Sequence, residues 1–177
     1  KKKSLAQIFG NLKCIVFNPE DLEISKGGPE NRRTFIDIFI SQLKPAYIGH
    51  LNKYNDILSQ RNSLLKEIQM GRGDRTLLDI YDEQLAEHGT EISIFREQYT
   101  DILRECAKRV FFDMSRGHEY MTLIYSSSIF DDLKRPEKEK LKEKYIEKLT
   151  SSREEDINLG YTTAGPHRDD FIIYVND

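Results

Sequence analysis

The hydrophobic residues of the chain follow two long stripes in which apolar positions recur mostly every third or fourth residue. The first stripe covers residues 47–68 and the second covers residues 77–110, a spacing that is typical of amphipathic helices. The glycine-rich sequence at 71–74 separates them and is typical of a turn. The pattern therefore predicts an antiparallel helical hairpin in which each helix covers the stripe of the other. The residues expected to be buried between the helices include Leu58, Leu65, Leu85 and Ile92.

Proline and glycine mark the ends of the other predicted helices. A helix is expected to begin at Pro29 and to end at Pro45, because proline fits the first helical turn and disrupts a helix interior. The second hairpin helix is expected to end before Gly117, and Gly89 is a weak point within it. The strongly charged segment 136–150 has its apolar residues on one face and predicts an exposed helix.

Short runs of β-branched and aromatic residues predict strands at 13–17, 119–125 and 171–175. These strands predict an α+β fold, predominantly helical, in which pieces of one sheet are separated by a helical insertion. The chain opens on a lysine run and stops at the end of a strand, so we expect it to be part of a longer protein. It divides into four predicted segments: 1–28 with a strand and a short helix, 29–116 as a helical arm with its hairpin turn near 70–75, 117–160 with a strand and the charged helix, and 161–177 with a polar turn and the last strand.

The composition limits the classes of function that the chain can have. Charged residues make up 32% of the 177 residues and hydrophobic residues 38%, which indicates long solvated helices over a thin core. The net charge of −3 argues against DNA binding by the surface as a whole and leaves room for a local basic patch. No apolar run approaches the length of a membrane span. Cys14 and Cys106 lie in apolar surroundings and predict neither a disulfide framework nor a zinc site.

Several motifs with well-understood chemistry do not occur in the sequence. There is no GxxxxGK[ST] phosphate-binding loop, no HExxH, no CxxC and no EF-hand pattern, and the four histidines are scattered. The tripeptide at 72–74 spells a cell-adhesion motif, but its glycine and charge fit a hairpin turn. The tripeptide at 167–169 resembles the catalytic loop of protein kinases, which requires an asparagine where this chain has Tyr174.

Two consecutive arginines stand where a helix disfavours cations. Arg32 and Arg33 lie in the first turns of the helix that begins at Pro29, near its positive end. A local ion pair with Glu30 or Asp37 would compensate for this position. The alternative is that the arginines bind phosphate or an acidic partner.

Polar residues also interrupt two otherwise regular patterns. Arg61 and Asn62 break the apolar stripe of the first hairpin helix, and a polar pair there favours a role in fixing the register over a role in binding. The segment 162–170 is a turn followed by four polar residues before the final strand. It either satisfies local backbone groups or contributes to a site, and its residue types favour neither.

Three blocks of sequence, in this order, resemble the RecF family of bacterial DNA repair proteins. They are FNPEDL at 17–22 with KGGP at 26–29, RR at 32–33 and FID at 35–37, then Tyr54, Leu58, QRN at 60–62 and Leu65, and finally GPHRDD at 165–170. The blocks span nearly the whole chain. Together they are specific, although each alone would be weak.

The resemblance implies an ABC-type ATPase of the SMC family, whose head domain is split by a helical arm that is a shortened SMC coiled coil. It implies a cytoplasmic protein that binds ATP and Mg²⁺, forms an ATP-dependent homodimer and acts in recombinational repair with RecO and RecR. The DNA would contain single-stranded gaps or junctions, and no membrane would be involved. The chain itself would be the arm with the adjoining strands of the head.

The resemblance also implies where contacts are to be sought. The candidate ATP contacts are Glu20 and Asp21, in a segment that resembles the Q-loop region of SMC heads although no glutamine stands there. The candidate contacts to DNA or to a partner protein are Arg32, Arg33, His167 and Arg168. Walker A would precede this chain, and the signature and Walker B segments would follow it. We therefore expect no catalytic residue, metal ligand or bound cofactor within the chain. The alternative is a coiled-coil interaction or scaffold domain with no nucleotide function.

Overall fold

A computed structural model describes residues 23–134 and 137–176 of the chain. The predicted α+β, predominantly helical fold is confirmed. The strand predicted at 13–17 lies outside the described residues. In chain order the elements are α1 (Glu23–Lys26), α2 (Pro29–Leu43), α3 (Pro45–Gln69), α4 (Leu77–Met114), β1 (Met121–Ser126), α5 (Lys138–Ser151), α6 (Arg153–Leu159) and β2 (Asp170–Val175).

The chain folds into two compact units and passes between them several times. Within the described residues, the first unit contains 23–45, 95–126 and 169–176, and we call it the sheet unit. The second contains 46–94 and 127–168, apart from residues 135 and 136, and we call it the hairpin unit.

In the sheet unit, β1 and β2 form an antiparallel pair. The register places Tyr125 opposite Phe171, and their rings stack with centroids 5.1 Å apart. Helix α2 contacts β2 and buries Ile36 and Ile40 on its inner face. The strands predicted at 119–125 and 171–175 are thus confirmed, and their observed ends differ from the predicted ends by at most two residues.

In the hairpin unit, α3 and the first part of α4 run antiparallel. His50 of α3 contacts His88 of α4, and Arg61 contacts Asp82, so residue numbers rise on one helix as they fall on the other. The predicted hairpin is therefore confirmed. Apolar residues near its turn form a common core with α6: Leu64, Leu65, Ile68, Leu78 and Ile157, with Tyr81 packed against them.

Helix α5 packs its apolar face inside the hairpin unit. Tyr145 and Leu149 have no exposed surface, so the predicted exposed helix buries two residues of its apolar face completely. A Cβ atom at Gly89 would lie 2.5 Å from Cε2 of Tyr145, a distance that real side chains do not tolerate. The glycine that the sequence marks as a weak point of α4 is therefore the place where an aromatic ring meets its backbone.

The buried positions predicted for the hairpin agree with the structure except at one residue. Leu65, Leu85 and Ile92 have no exposed surface. Leu58, which we expected to be buried, is only half-buried. The surface of α3 that packs against other residues is therefore narrower at Leu58 than the apolar stripe predicts.

The apolar stripe predicted on α4 extends beyond the part of α4 that α3 covers. Helix α4 has 38 residues and α3 has 25, so α4 is about 20 Å longer at ~1.5 Å per residue. Because His50 faces His88, the start of α3 lies opposite the region just beyond residue 90 of α4. Further along α4, Ile102 and Val110 are 47% and 51% exposed, and Cys106 is an exposed free thiol. The prediction that α3 covers the apolar stripe of α4 as far as Val110 is therefore wrong for residues 102–110.

One short helix is not predicted by the sequence pattern. Helix α6 has only seven residues, too few to display a helical repeat of apolar positions. Among the described residues, no helix combines the length and the apolar character that a membrane crossing requires.

Burial within the hairpin generates a stability prediction. Leu85→Ala should lower the free energy of unfolding by ~2–5 kcal/mol, because it removes a fully buried side chain and leaves a cavity. Leu77→Ala on the same helix is the matched control, since Leu77 is 42% exposed and should cost about 0.5 kcal/mol or less. Urea denaturation followed by circular dichroism measures both. Equal losses would contradict the packing described here.

Candidate functional site

The predicted site residues lie on different elements of the chain. The candidate ATP contacts at 20–21 lie outside the residues that the structure describes. The arginines at 32–33 lie on α2 in the sheet unit, whereas residues 167–168 lie in the hairpin unit, in the loop that precedes β2.

Arg32 is held by a two-pronged ion pair. Its Nε and Nη2 donate to the two carboxylate oxygens of Asp170 at 2.8 and 2.9 Å, and Nη1 donates to the carbonyl of Gly27 at 2.7 Å. Hydrogen bonding to Asp170 raises the pKa of Arg32 above its ordinary value. Burial tends to raise the pKa of Asp170, but hydrogen bonds from Arg32 and from the N–H of Phe171 outweigh it, so the net pKa is lowered. Paired forks of this kind are strong and geometrically specific.

The observed partners differ from the pairing with Glu30 or Asp37 that the helix position suggested. Nη2 of Arg96 donates to both carboxylate oxygens of Asp37 at 2.9 Å, and Nε donates at 3.0 Å. The partner of Arg32 is 138 positions away along the chain, and only the fold brings it close. Local sequence spacing therefore identifies the wrong carboxylate.

Arg33 is half-buried and has a weaker set of partners. Its Nη1 donates to the backbone carbonyl of Asp169 at 2.7 Å. Burial lowers the pKa of Arg33, and the nearby charge of Arg96 lowers it further. Within the described part of the chain, no carboxylate forms an ion pair with it. Of the two arginines that the sequence singles out, Arg33 is the one better able to accept an added anion.

The carboxylate of Asp169 faces the interior of the sheet unit. Asp169 is buried, and the hydroxyl of Tyr125 donates to its Oδ2. The formal charges around it cancel, with three cations and three carboxylates. We call this group the arginine–aspartate cluster: Arg32, Arg33, Arg96, Asp37, Asp169 and Asp170.

In the hairpin unit, Arg61 of α3 is a fully buried cation. Its Nε donates to Asp82 of α4 at 2.7 Å, and its Nη1 donates to Asp156 of α6 at 2.7 Å and to the Thr162 hydroxyl at 2.8 Å. None of the three charged side chains is more than 1% exposed. Buried charges persist only when they are paired and hydrogen-bonded. The polar break in the stripe of α3 is thus an internal link, which favours the structural interpretation over a binding role.

The same network fixes the loop that follows α6. Oδ1 of Asn62 accepts hydrogen bonds from both the N–H and the hydroxyl of Thr162, each at 2.8 Å. Oδ1 of Asp156 accepts from the N–H and the hydroxyl of Thr163 at 2.9 and 2.7 Å. The loop therefore enters the GPHRDD sequence from an anchored position.

His167 is engaged on both sides of its ring. Nε2 lies 3.0 Å from the carbonyl of Thr162 and donates to it, and Nδ1 forms a hydrogen bond with the Tyr54 hydroxyl 2.8 Å away. A Cβ atom at Gly165 would lie 2.3 Å from that hydroxyl and 2.5 Å from the hydroxyl of Tyr145, so this position requires glycine. The contacts of His167 are thus those of a local hydrogen-bonding group, as one interpretation of the turn predicts.

Arg168 is the more accessible member of its pair. Its guanidinium lies 4.8 Å from the ring centroid of Tyr161, within the range of a cation–π contact. Its Nε and Nη2 donate to the carbonyl of Thr162 over long distances of 3.3 and 3.2 Å. The side chain remains exposed. Elsewhere in the described residues, no group of three or more His, Cys, Asp or Glu side chains is placed to hold a metal ion.

Comparison with known proteins gives the same assignment as the sequence blocks. A curated protein of Halothermothrix orenii named DNA replication and repair protein RecF is 44% identical over 176 residues, which is 99% of this chain and 47% of that protein. The protein of the same name from Bacillus subtilis is 40% identical over 178 residues, 99% of this chain and 48% of its own length. This chain is a RecF homologue. It spans about half the length of the curated relatives it matches, and no family model matches it.

Solved structures agree with this assignment. A structure of the recombination mediator protein RecF-ATPrS in the RecFOR pathway matches 99% of this chain with a TM-score of 0.92 and 37% sequence identity. A structure of RecF-ATP from the same pathway matches 96% of the chain with a TM-score of 0.87. The chain covers 46% and 45% of those proteins.

Sequence reasoning missed the acidic partners of Arg61, although one signal for them exists. Asp82 has the same helical phase as Leu78 and Leu85, which are both buried, so its carboxylate had to point into the core. A charge at a core position predicts a buried partner of opposite sign. Arg61 meets that condition on the facing helix.

The buried network leads to a prediction at Arg61. Arg61→Met should lower the free energy of unfolding by ~3–5 kcal/mol, because it removes the ion-pair partner of the buried Asp156, while Asp82 keeps its pair with Arg153. Arg75→Met is the control, since Arg75 and Glu154 form an exposed pair worth at most about 1 kcal/mol. Adding Asp156→Asn to Arg61→Met should restore part of the loss. Urea midpoints that are equal for the two single variants would contradict the network.

The lowered pKa of Asp170 predicts how stability depends on pH. A carboxylate whose pKa is lowered by folding stabilises the fold fully above its unfolded pKa of ~3.9, and this contribution is lost as pH falls below that value. Urea unfolding of the wild type and of Asp170→Asn between pH 2.5 and pH 6 (an interval chosen around ~3.9) should therefore show a stability difference that shrinks at the acid end. Asp113→Asn, an exposed position in the same unit, controls for net charge. A difference that is constant with pH would refute the ion pair with Arg32.

Proposed function

We propose that this chain is the arm and the adjoining head segments of a RecF-like DNA repair ATPase. The whole protein would bind ATP, Mg²⁺ and DNA, form an ATP-dependent homodimer and help RecO- and RecR-like mediators act at single-stranded gaps. The observation that carries this proposal is the match to the RecF-ATPrS structure over 99% of the chain. The helical hairpin is consistent with an arm inserted into a split head.

The chemistry of ATP binding belongs to other segments of the proposed protein. A phosphate-binding loop needs consecutive backbone N–H groups and a lysine, and the 177 residues contain no such sequence. The chain would therefore contribute architecture and contacts while the remaining segments supply the nucleotide site. The competing proposal is a scaffold domain without any nucleotide function.

An experiment on the full-length protein separates the two proposals. Light scattering coupled to gel filtration should show a dimer with Mg-ATP and a monomer without nucleotide, and affinity for gapped duplex DNA should rise with ATP. Calorimetry of the 177-residue chain with Mg-ATP should give no heat of binding. A full-length protein whose oligomeric state and DNA affinity ignore ATP would support the scaffold. Micromolar ATP binding by the chain alone, about −8 kcal/mol, would mean that we have misplaced the nucleotide site.

Within this proposal, Arg33 is the stronger candidate for a phosphate contact. It is half-buried, its hydrogen-bond acceptor is a backbone carbonyl, and it lies beside the positive charge of Arg96. Arg32, in contrast, is neutralised by Asp170. A phosphate oxygen would supply the negative charge that Arg33 does not receive from a paired carboxylate among the described residues.

DNA binding as a function of salt tests this contact. Arg33→Ala in the full-length protein should reduce the slope of log affinity against log salt by about one, the effect of losing one phosphate contact. Arg75→Ala, which removes an exposed arginine near the hairpin turn, is the matched control and should leave the slope unchanged. A wild-type slope in a stably folded Arg33→Ala protein would exclude the contact.

A further inference from the structure

Two histidines face each other across the hairpin, on helices that hold them firmly. His50 lies on α3 and His88 on α4, and their Nδ1 atoms are 3.2 Å apart. The ring centroids are 5.3 Å apart and the ring planes are inclined by 60°. Both side chains are half-buried, so one edge of the pair remains open to solvent. Neither residue belongs to the candidate sites described above.

The separation of the two nitrogens matches what a metal ion requires. Zinc bonds to histidine nitrogen at ~2.0–2.1 Å in tetrahedral geometry, which places two such nitrogens about 3.3 Å apart. The observed Nδ1–Nδ1 distance is within about 0.2 Å of that value. A hydrogen bond between two neutral rings, with one Nδ1–H donating to the other Nδ1, also fits the distance and would be replaced by the metal ion.

Charged side chains of both signs surround His88. Burial lowers the pKa of His88 and the neighbouring His50 lowers it further, so the neutral ring is favoured. Lys53 acts in the same direction, whereas the carboxylates of Glu87 and Glu91 attract positive charge to the pair. Lys138 of α5 pairs with Glu91 at 2.6 Å and so limits that carboxylate as a third ligand.

We propose that His50 and His88 form a two-histidine site for a borderline divalent transition metal ion, represented by Zn²⁺, which bridges α3 and α4. Water completes the coordination, because no third His, Cys, Asp or Glu among the described residues joins the pair. Imidazole nitrogen suits zinc, copper and nickel and does not suit Mg²⁺ or Ca²⁺. The site is independent of the proposed repair function.

Titration of the untagged, chelator-treated chain with ZnCl₂ in a calorimeter tests the proposal. We expect one Zn²⁺ per chain, and a zinc affinity at least tenfold lower in either His50→Gln or His88→Gln. His118→Gln, which removes an exposed histidine from the sheet unit, should bind as the wild type does. MgCl₂ should give no heat of binding. The two single variants provide independent tests if one of them folds poorly by circular dichroism.

The electron paramagnetic resonance spectrum of added Cu²⁺ provides a second readout. In the wild type, the electron spin of Cu²⁺ should couple to two imidazole nitrogens, one from each histidine. This two-nitrogen pattern should be lost in both variants. Zinc affinity that is equal in the wild type and the two variants, or no zinc binding at ~1 mM (three orders weaker than micromolar affinity), would overturn the proposal. A retained two-nitrogen copper spectrum in His50→Gln would also overturn it.

Discussion

A buried cation determines how the hairpin unit is built. The guanidinium of Arg61 has no access to water, so its charge must be balanced by carboxylates from the protein itself. Its Nε and Nη1 have acceptors, whereas Nη2 is buried without one among the described residues. Asp82 supplies one partner from the facing helix, and Asp156 supplies the other from α6. The short helix, which contributes little apolar surface, is thereby tied to the hairpin. The loop after it is fixed by the same group through Thr162.

The sheet unit uses the same principle at several arginines. Arg96 and Arg32 each hold one carboxylate with two donors, and in both pairs the partners are far apart in sequence. Such pairs join α2 to α4 and to β2. Arg33 lies among them with only a backbone acceptor in the described residues, which makes it the least satisfied cation of the arginine–aspartate cluster.

The sequence predicts the elements of the fold well because their causes are local. Helical spacing, the prolines at the ends of α2 and the glycine-rich turn determine the helices, and β-branched runs determine β1 and β2. The position on α4 beyond which α3 no longer covers the apolar stripe cannot be predicted in this way, because it depends on the relative lengths of the two helices. The partner of Arg32 was missed because Asp170 is distant in sequence.

The candidate site shows the same division between local and non-local information. The sequence identifies 32–33 and 167–168 as unusual, yet it does not predict that Arg32 pairs with Asp170 or that His167 contacts Tyr54. The sequence also marks Gly89 as a weak point of the helix, because it does not show that the ring of Tyr145 occupies the space where a side chain at position 89 would lie. Tyr145 comes 56 residues later in the chain (145 − 89). Residue types reveal that a position is special, and only the fold reveals what it contacts.

The sequence distances within the Arg61 network have a consequence for how the hairpin unit folds. Asp82 is 21 positions from Arg61, whereas Asp156 and Thr162 are 95 and 101 positions away. The two long helices can meet early, since their contacts are local and the turn is short, but the cation then lacks half of its counter-charge. Contacts of high sequence separation form slowly because of loop-closure entropy. The counter-charge of Arg61 is therefore complete only when α6 and the loop after it have packed against the hairpin.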